Sequence, residues 1–366
     1  MLSYKLLKGK QINMSSLNEK IESVPEAILF LLLGVVAFLA LLPAWLNYDI
    51  VSRDGALQYI PIARLFLEQK FHDALFNNVQ LPLFPLIIAG VSKVTGLSLE
   101  MSGRVTSYIA YIIAALGMFR MTEFLFKNRF VALLAFLFLI TNRQLIIRSV
   151  DCLKESLFLC CIIWGNYLIL KGISSAAKKE RLYISGTLIL LVGAMLRSTV
   201  LVFICAWLIV WVFREKKGVL ARASIFLAPV VGVLVTWAFY PEFILFQKSC
   251  YNLGYFFVST NGIGDVLRSN ADVLKTFFHT GNPAIMLFGF YGLYYYRRDA
   301  YFFHICLVLM MFFIILTFWI AVSSRYYLAP IVWLYPVAGY GIVHALQSAG
   351  TARKVVGVLA VVSSIV

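Results

Sequence analysis

Charge is scarce in this 366-residue chain: only 13% of residues are Asp, Glu, Lys or Arg, and Asp and Glu together number 17. A soluble domain carries about 25% charged residues. With hydrophobic residues at 61% and a mean hydropathy of +0.87, a soluble globular enzyme is excluded. The chain reads as an all-α polytopic integral membrane protein, whose core lies between helices surrounded by the lipid bilayer. Cysteine pairs of the CxxC kind are absent. Cys152, Cys160, Cys161, Cys205 and Cys306 lie in or beside apolar runs and read as small packing residues, while Cys250 stands alone in a loop. The four histidines, His72, His279, His304 and His344, are scattered without metal-ligand spacing. No cofactor is expected with certainty, and a divalent cation on Asp54 and Asp151 is the one possibility left. No repeat or low-complexity tract occurs, and "NGIGD" (261–265) has a GxG with no strand before it, so it reads as a turn.

Long apolar runs take the place of those features. They fall near 27–46, 105–125, 130–147, 152–170, 182–196, 198–213, 223–240, 283–296, 301–322, 328–347 and 355–366, predicting a bundle of about eleven transmembrane helices. Residues 1–25 are polar and form a tail, and the first run reads as a retained signal anchor. The net charge of +15 does not point to nucleic acid, because Lys and Arg gather in short loops between apolar runs. Cytoplasmic loops look like that. The segment "LPLFPLIIAGVSKVTG" (81–96) is short for a span and begins with Pro82 and Pro85. If it crossed, "KNR", "KKER", "REKK" and "RRD" would all face outward, against the positive-inside rule. It is therefore expected to be an interfacial or re-entrant helix. The tail 1–25 is then cytoplasmic, and 26–366 is one transmembrane domain with outer loops at about 47–104 and 241–282. The stretch "GALQYIPIARLFLEQ" in the first loop is amphipathic, as suits a surface helix.

Ionisable residues cluster at the expected outer ends of spans. Asp54 follows the first run, where an Asp is also an ordinary helix cap. Arg148, Asp151 and Glu155 fall at i, i+3 and i+7, which predicts one shared helix face. Arg197 and Arg325 sit at the outer ends of other spans. Ionisable groups beside membrane segments are expensive and are functional candidates by default. A carboxylate could act as general base on a hydroxyl, fixed cations could stabilise a leaving phosphate, and apolar surroundings could hold a lipid tail. These residues point to group transfer from a lipid-linked phosphate to an acceptor on the outer face. The alternatives are a transporter or flippase of a lipid-linked or small polar substrate, and a polymerase or ligase of surface polysaccharide. Transporters place ionisable groups near the midplane of repeated halves; here they gather at the rim and no repeat is seen.

The stretch "RDGALQYIPIARLFLEQ" with "LPLFPLIIAGVSKVTG" resembles the first outer loop of polytopic glycosyltransferases of the GT-C class. The likeness is to the group of protein O-mannosyltransferases, aminoarabinose transferases and lipopolysaccharide galacturonosyltransferases. That group has an Asp after the first span, then a Tyr and Ala, then a "PLxP" segment. Here these are Asp54, Tyr59, Ala63, and Pro82 with Pro85. "SVDCLKESLFL", "GAMLRSTVLV" and "SRYYLAPIVWLYPVAGYGI" follow in the family's order, so the resemblance covers about residues 27–345. It implies a GT-C-like bundle in which Asp54 is the catalytic carboxylate. Asp151 and Glu155 would line the same cavity, Arg197 and Arg325 would lie near the phosphate, and Tyr59 and Gln80 would contact substrate. The implied donor is a polyprenyl-phosphate sugar, and the acceptor a glycan, lipid or protein. The implied place is a cell membrane crossed many times, a bacterial inner membrane, with the site on the periplasmic or extracellular side. Two positions depart from the pattern. Gly55 stands where many relatives have a second acid, and Gln80 with Leu81 stands where many have a basic residue or His before a Pro-Pro pair.

Overall fold

The structure is a computed structural model that describes residues 21–47, 51–76, 82–174, 179–197, 199–214, 263–296, 300–317 and 324–348. Helix α1 spans Glu26–Asn47. Three short helices follow: α2 (Ile60–Leu67), entered through a π-helical turn at Gly55–Tyr59, α3 (Phe71–Phe76) and α4 (Leu83–Thr95). Then come α5 (Leu99–Phe126), α6 (Arg129–Thr141), α7 (Arg143–Ser149), α8 (Glu155–Ser174), α9 (Lys179–Ala194) and α10 (Val200–Arg214). The last four are α11 (Ile263–Gly281), α12 (Pro283–Tyr295), α13 (Ala300–Thr317) and α14 (Leu328–Ser348). No strand occurs among the described residues. Four described helices are long and apolar enough to cross a membrane, or five if the bent pair α6–α7 is one span. The expected runs at 223–240 and 355–366, the tail up to residue 20 and most of the 241–282 loop lie outside the described residues.

The segment expected to stay out of the core span count, 81–96, is the 13-residue α4. At 1.5 Å rise per residue it is about 20 Å long, short of a hydrocarbon core of about 30 Å. It packs between α2 and α5. The run expected as a single helix at 130–147 is broken. Asn142 ends α6 and caps α7, its side-chain oxygen accepting from Leu145 N at 3.1 Å, and the two helices meet at 64°. The Asn142 amide also donates to Thr280 O at 3.1 Å and the Tyr335 hydroxyl at 2.9 Å, so the bend is pinned to α11 and α14.

Helices in lipid gain little from hydrophobic exclusion, so they associate through close packing and paired polar groups. Both occur here. Gly165 on α8 and Gly186 on α9 let the two backbones touch; a Cβ on Gly186 would lie 2.6 Å from Gly165 O. His304 on α13 is fully buried and stacks on Trp207 at 4.0 Å. Its Nε2 lies 3.1 Å from Phe203 O, and its Nδ1 accepts from Trp333 Nε1 at 3.2 Å. Both ring nitrogens are thus satisfied, and the residue crosslinks α10, α13 and α14. Asn166 of α8 accepts from Trp207 Nε1 at 2.5 Å and ties α8 to α10.

The connections sort the charges. Helices α5 and α8 run side by side in one sense, from the Ser107–Leu153 contact to the Phe124–Tyr167 contact. At that second end Glu123 pairs with Arg120 at 2.9 Å and Arg129 at 2.8 Å, Arg120 also pairs with Glu26, and Phe126 meets Tyr296 and Tyr340. The basic turn at 127–129 lies there, as does Lys171 in the last turn of α8, 5.8 Å from the Tyr167 ring centre. Residues 51–55, 150–155, 197 and 325 lie at the opposite end, held together by the contacts described next.

Candidate functional site

Residues 51–55 enter the π turn through a Ser cap. Ser52 Oγ accepts from Gly55 N at 3.2 Å, and Ser52 O accepts from Ala56 N at 2.9 Å. The cap that Asp54 could have made is therefore made by Ser52, and the Asp54 side chain makes no capping bond. The helix widens to π geometry just before Pro61, which brings no N–H to the ladder. Freed from capping, the Asp54 carboxylate accepts from Arg325 Nη1 at 2.5 Å. That bond joins the first interhelical segment to the turn that leads into α14.

Arg325 lies in a single 3-10 turn, Ser324–Tyr326. Its Nη2 reaches the Tyr326 hydroxyl at 3.4 Å, and its Nε is buried with no hydrogen-bond partner. Arg197, in the turn between α9 and α10, donates from Nη1 to Arg325 O at 3.3 Å. The same nitrogen lies 3.9 Å from Glu155 Oε1, with only 10% and 5% of the two side chains exposed. Tyr326 is shared: the Arg197 guanidinium lies 4.6 Å from its ring centre and that of Arg325 5.2 Å. Glu155 Oε2 is buried and has no hydrogen-bond partner. Two guanidiniums, two carboxylates and one phenol thus form a connected cluster at the rim of the bundle.

Asp151 is placed differently. It is 1% exposed, and its Oδ1 accepts from Ser52 N at 3.2 Å and Cys152 N at 2.6 Å. The expected single helix face for Arg148, Asp151 and Glu155 does not exist, because α7 ends at Ser149 and α8 begins at Glu155. The correction has a physical cause: the turn at 150–154 is fastened to α5 and to residue 52 rather than wound into a helix. Tyr59 is 2% exposed and meets Phe84 edge-on at 5.3 Å. Burial, then the Glu155 and Asp54 carboxylates, push its phenol far above the usual range, so the hydroxyl stays neutral. Gln80 lies outside the described residues. The described acids do not assemble a cation cage, since Asp54 faces Arg325 and Asp151 Oδ1 faces backbone N–H groups. No described group of three or more His, Cys, Asp or Glu could hold a metal.

Sequence reasoning passed over Lys154. Its amine lies 5.6 Å from the Tyr59 ring centre. Burial brings it down to about 8; Glu155 and Asp54 oppose that, and Arg197 and Arg325 add to it. The signal was there to read, since Lys154 directly precedes Glu155 at the start of an apolar run. Arg104 was also passed over. It donates from Nε to Val150 O at 3.0 Å and from Nη2 to Trp45 O at 3.3 Å.

The departure at Gly55 has a steric reason. A Cβ there would lie 2.7 Å from Val51 Cγ1 and 3.0 Å from Cys152 O. Cys152 fills the space between Gly55 and Gly103, and burial followed by Asp151 pushes its thiol up to about 12, so it packs as a neutral group. A second acid has no room beside Asp54. Overpacking typically costs about 1–3 kcal/mol. Gly55→Ala is expected to destabilise by about that amount, and Gly55→Asp by more, read as a fall in melting temperature in detergent. Unchanged melting in Gly55→Asp would contradict this packing.

No protein-family model matches the chain, and no curated protein sequence matches it. Solved structures do match in fold. The aminoarabinose transferase ArnT from Cupriavidus metallidurans aligns in its apo state with a TM-score of 0.63 and when bound to undecaprenyl phosphate with 0.68, at 12% identity in both. The alignments cover 91% of this chain and 62% of ArnT. The oligosaccharyltransferase of Archaeoglobus fulgidus, in a complex with Zn and sulfate, aligns with a TM-score of 0.63 at 13% identity, covering 91% of this chain and 51% of that one. Both are GT-C glycosyltransferases, so the helical bundle described above has the GT-C polytopic membrane fold.

Proposed function

We propose that the protein is a membrane glycosyltransferase that moves a sugar from a polyprenyl-phosphate donor to a hydroxyl of a lipid, glycan or protein acceptor. The reading places the rim cluster on the periplasmic or extracellular side of a bacterial inner membrane, with the basic turns on the cytoplasmic side. The observation that carries it is the direct contact of Asp54 with Arg325 at the bundle rim, backed by Arg197 through the Arg325 carbonyl. On this reading a base and a phosphate-binding cation are adjacent, which supports glycosyl transfer from a lipid phosphate at this rim.

In this reaction Asp54 takes the proton of the acceptor hydroxyl as its oxygen bonds to the sugar's anomeric carbon. The bond from that carbon to the phosphate oxygen breaks, and its electron pair stays on the phosphate. Charge grows there as the bond breaks, so fixed guanidiniums stabilise the transition state more than the ground state. The planar fork of Arg suits two phosphate oxygens at once. Arg325 is engaged by Asp54 before donor arrives. A donor phosphate competes for that guanidinium and leaves the carboxylate able to accept a proton.

The lipid part has a place. A cavity of about 300 Å³ between α11, α13 and α14 is lined by apolar and aromatic side chains, among them Phe277, Phe278, Met310, Phe313, Tyr327 and Pro330. Tyr327, which lines it, directly follows the Arg325 turn, and this supports seating the lipid chain here with its phosphate towards the rim cluster. The ArnT structure bound to undecaprenyl phosphate supports the same lipid class.

The test uses purified protein, a panel of polyprenyl-phosphate sugars and detection of released lipid phosphate. General acid–base catalysis typically contributes about 10²–10⁴-fold. Asp54→Asn is expected to lower transfer by about that factor while inserting and binding donor; near-normal turnover removes Asp54 as the base. Lys154 supplies a pH signature. Its amine is charged below about 8 and loses its proton as pH rises past that value. Binding of undecaprenyl phosphate is expected to weaken between pH 7 and pH 9 in the parent protein. In Lys154→Arg the weakening should be smaller, because Arg stays charged throughout. An identical pH dependence in the two proteins would mean that the Lys154 charge does not contribute to binding the phosphate.

A further inference from the structure

We propose that Asp151 is a positioning residue: it holds the turn that presents Asp54, and it does so through backbone N–H groups rather than by touching substrate. This rests on reading Asp54 as the base. Three contacts build the brace. Arg104 Nε on α5 fixes Val150 O at 3.0 Å, and Ser107 Oγ fixes Leu153 O at 2.7 Å, so α5 holds the 150–153 turn from both sides. Asp151, on that turn, accepts from Ser52 N at 3.2 Å. Ser52 in turn caps the helix on which Asp54 sits. Gly55 against Cys152 closes the same contact from below. Ser52 is half-buried, and the carboxylate oxygen that accepts from its N–H helps to fix where residue 52 lies. Arg104 also donates to Trp45 O at 3.3 Å, which ties the end of α1 to the same brace.

The consequence is a demand on geometry, not on charge. An Asn at 151 keeps a side-chain oxygen that can accept from both N–H groups and removes the negative charge. An Ala keeps neither. Misplacing a reacting group by about 1 Å can cost about 10²-fold in rate. Asp151→Ala is therefore expected to lower kcat by about tenfold to a hundredfold with little change in donor affinity, and Asp151→Asn to restore most of the loss.

Hydrogen–deuterium exchange over residues 51–56, measured on the full chain, separates this from the assignment of Asp54. The brace predicts faster exchange in Asp151→Ala and near-parent protection in Asp151→Asn. Unchanged exchange in Asp151→Ala overturns the brace. So does an Asp151→Asn variant as slow in transfer as Asp151→Ala, because the charge itself would then be required. Faster exchange in Asp151→Ala with undiminished transfer keeps the brace as structure but overturns its role in presenting Asp54.

Discussion

The ion pair between Asp54 and Arg325 is the contact on which the arrangement of the site depends. It joins residues 271 positions apart in sequence. Neither partner is deeply buried, at 27% and 34% side-chain exposure, so the pair is a modest stabiliser at most. Its weight is geometric. It sets the segment after α1 against the turn before α14, and the other cations arrange themselves around that junction. Arg197 holds the Arg325 carbonyl, Tyr326 lies against both guanidiniums, and Glu155 faces Arg197. A weak, partly solvated pair is also one that an incoming anion can exchange. A fully buried pair would resist that, because each freed charge would lose several kcal/mol of solvation.

The rest of the bundle supplies the rigidity that a loosely paired site lacks. Two polar groups inside the apolar region crosslink helices through their partners: His304 between Phe203 O and Trp333, and Asn166 with Trp207. Backbones touch at Gly165 and Gly186. On the side facing the site, α5 works as a post: Arg104 and Ser107 reach from it to the 150–153 turn. Charge that must exist near lipid is thereby moved to the two ends of the bundle. One end carries Arg120 and Arg129 with their shared Glu123, and the other carries the mixed cluster around Arg325.

Much of this was legible in the sequence because lipid imposes a simple rule. An apolar run of sufficient length is a helix, and counting runs tells which ends lie together. That rule brings Asp54, Glu155, Arg197 and Arg325 to one end, and the structure places them in one connected cluster. It also marked 81–96 as too short to span, and α4 is 13 residues long. What the rule could not reach is contact between distant turns. The Asp54–Arg325 pairing, the Ser52 cap and the Arg104 brace each depend on how turns meet in space. The run at 130–147 hid its break because Asn142 is a single polar residue in an apolar stretch, and its capping role depends on partners on α11 and α14. Asp151 was misplaced on a helix face for the same reason: spacing alone cannot tell a helix from a turn fastened by its neighbours.

The central claim is that Asp54 and Arg325 have unlike chemical tasks, a base and a phosphate-binding cation, and do not merely bridge two segments. Exchanging them in the double variant Asp54→Arg, Arg325→Asp keeps two opposite charges at the junction and moves each task to the wrong place. The measurement is release of lipid phosphate from a polyprenyl-phosphate sugar by the purified double variant, compared with the parent protein. The account predicts a protein that inserts and folds but releases none above background. Release near the parent rate would show that only the bridge matters and would contradict the account.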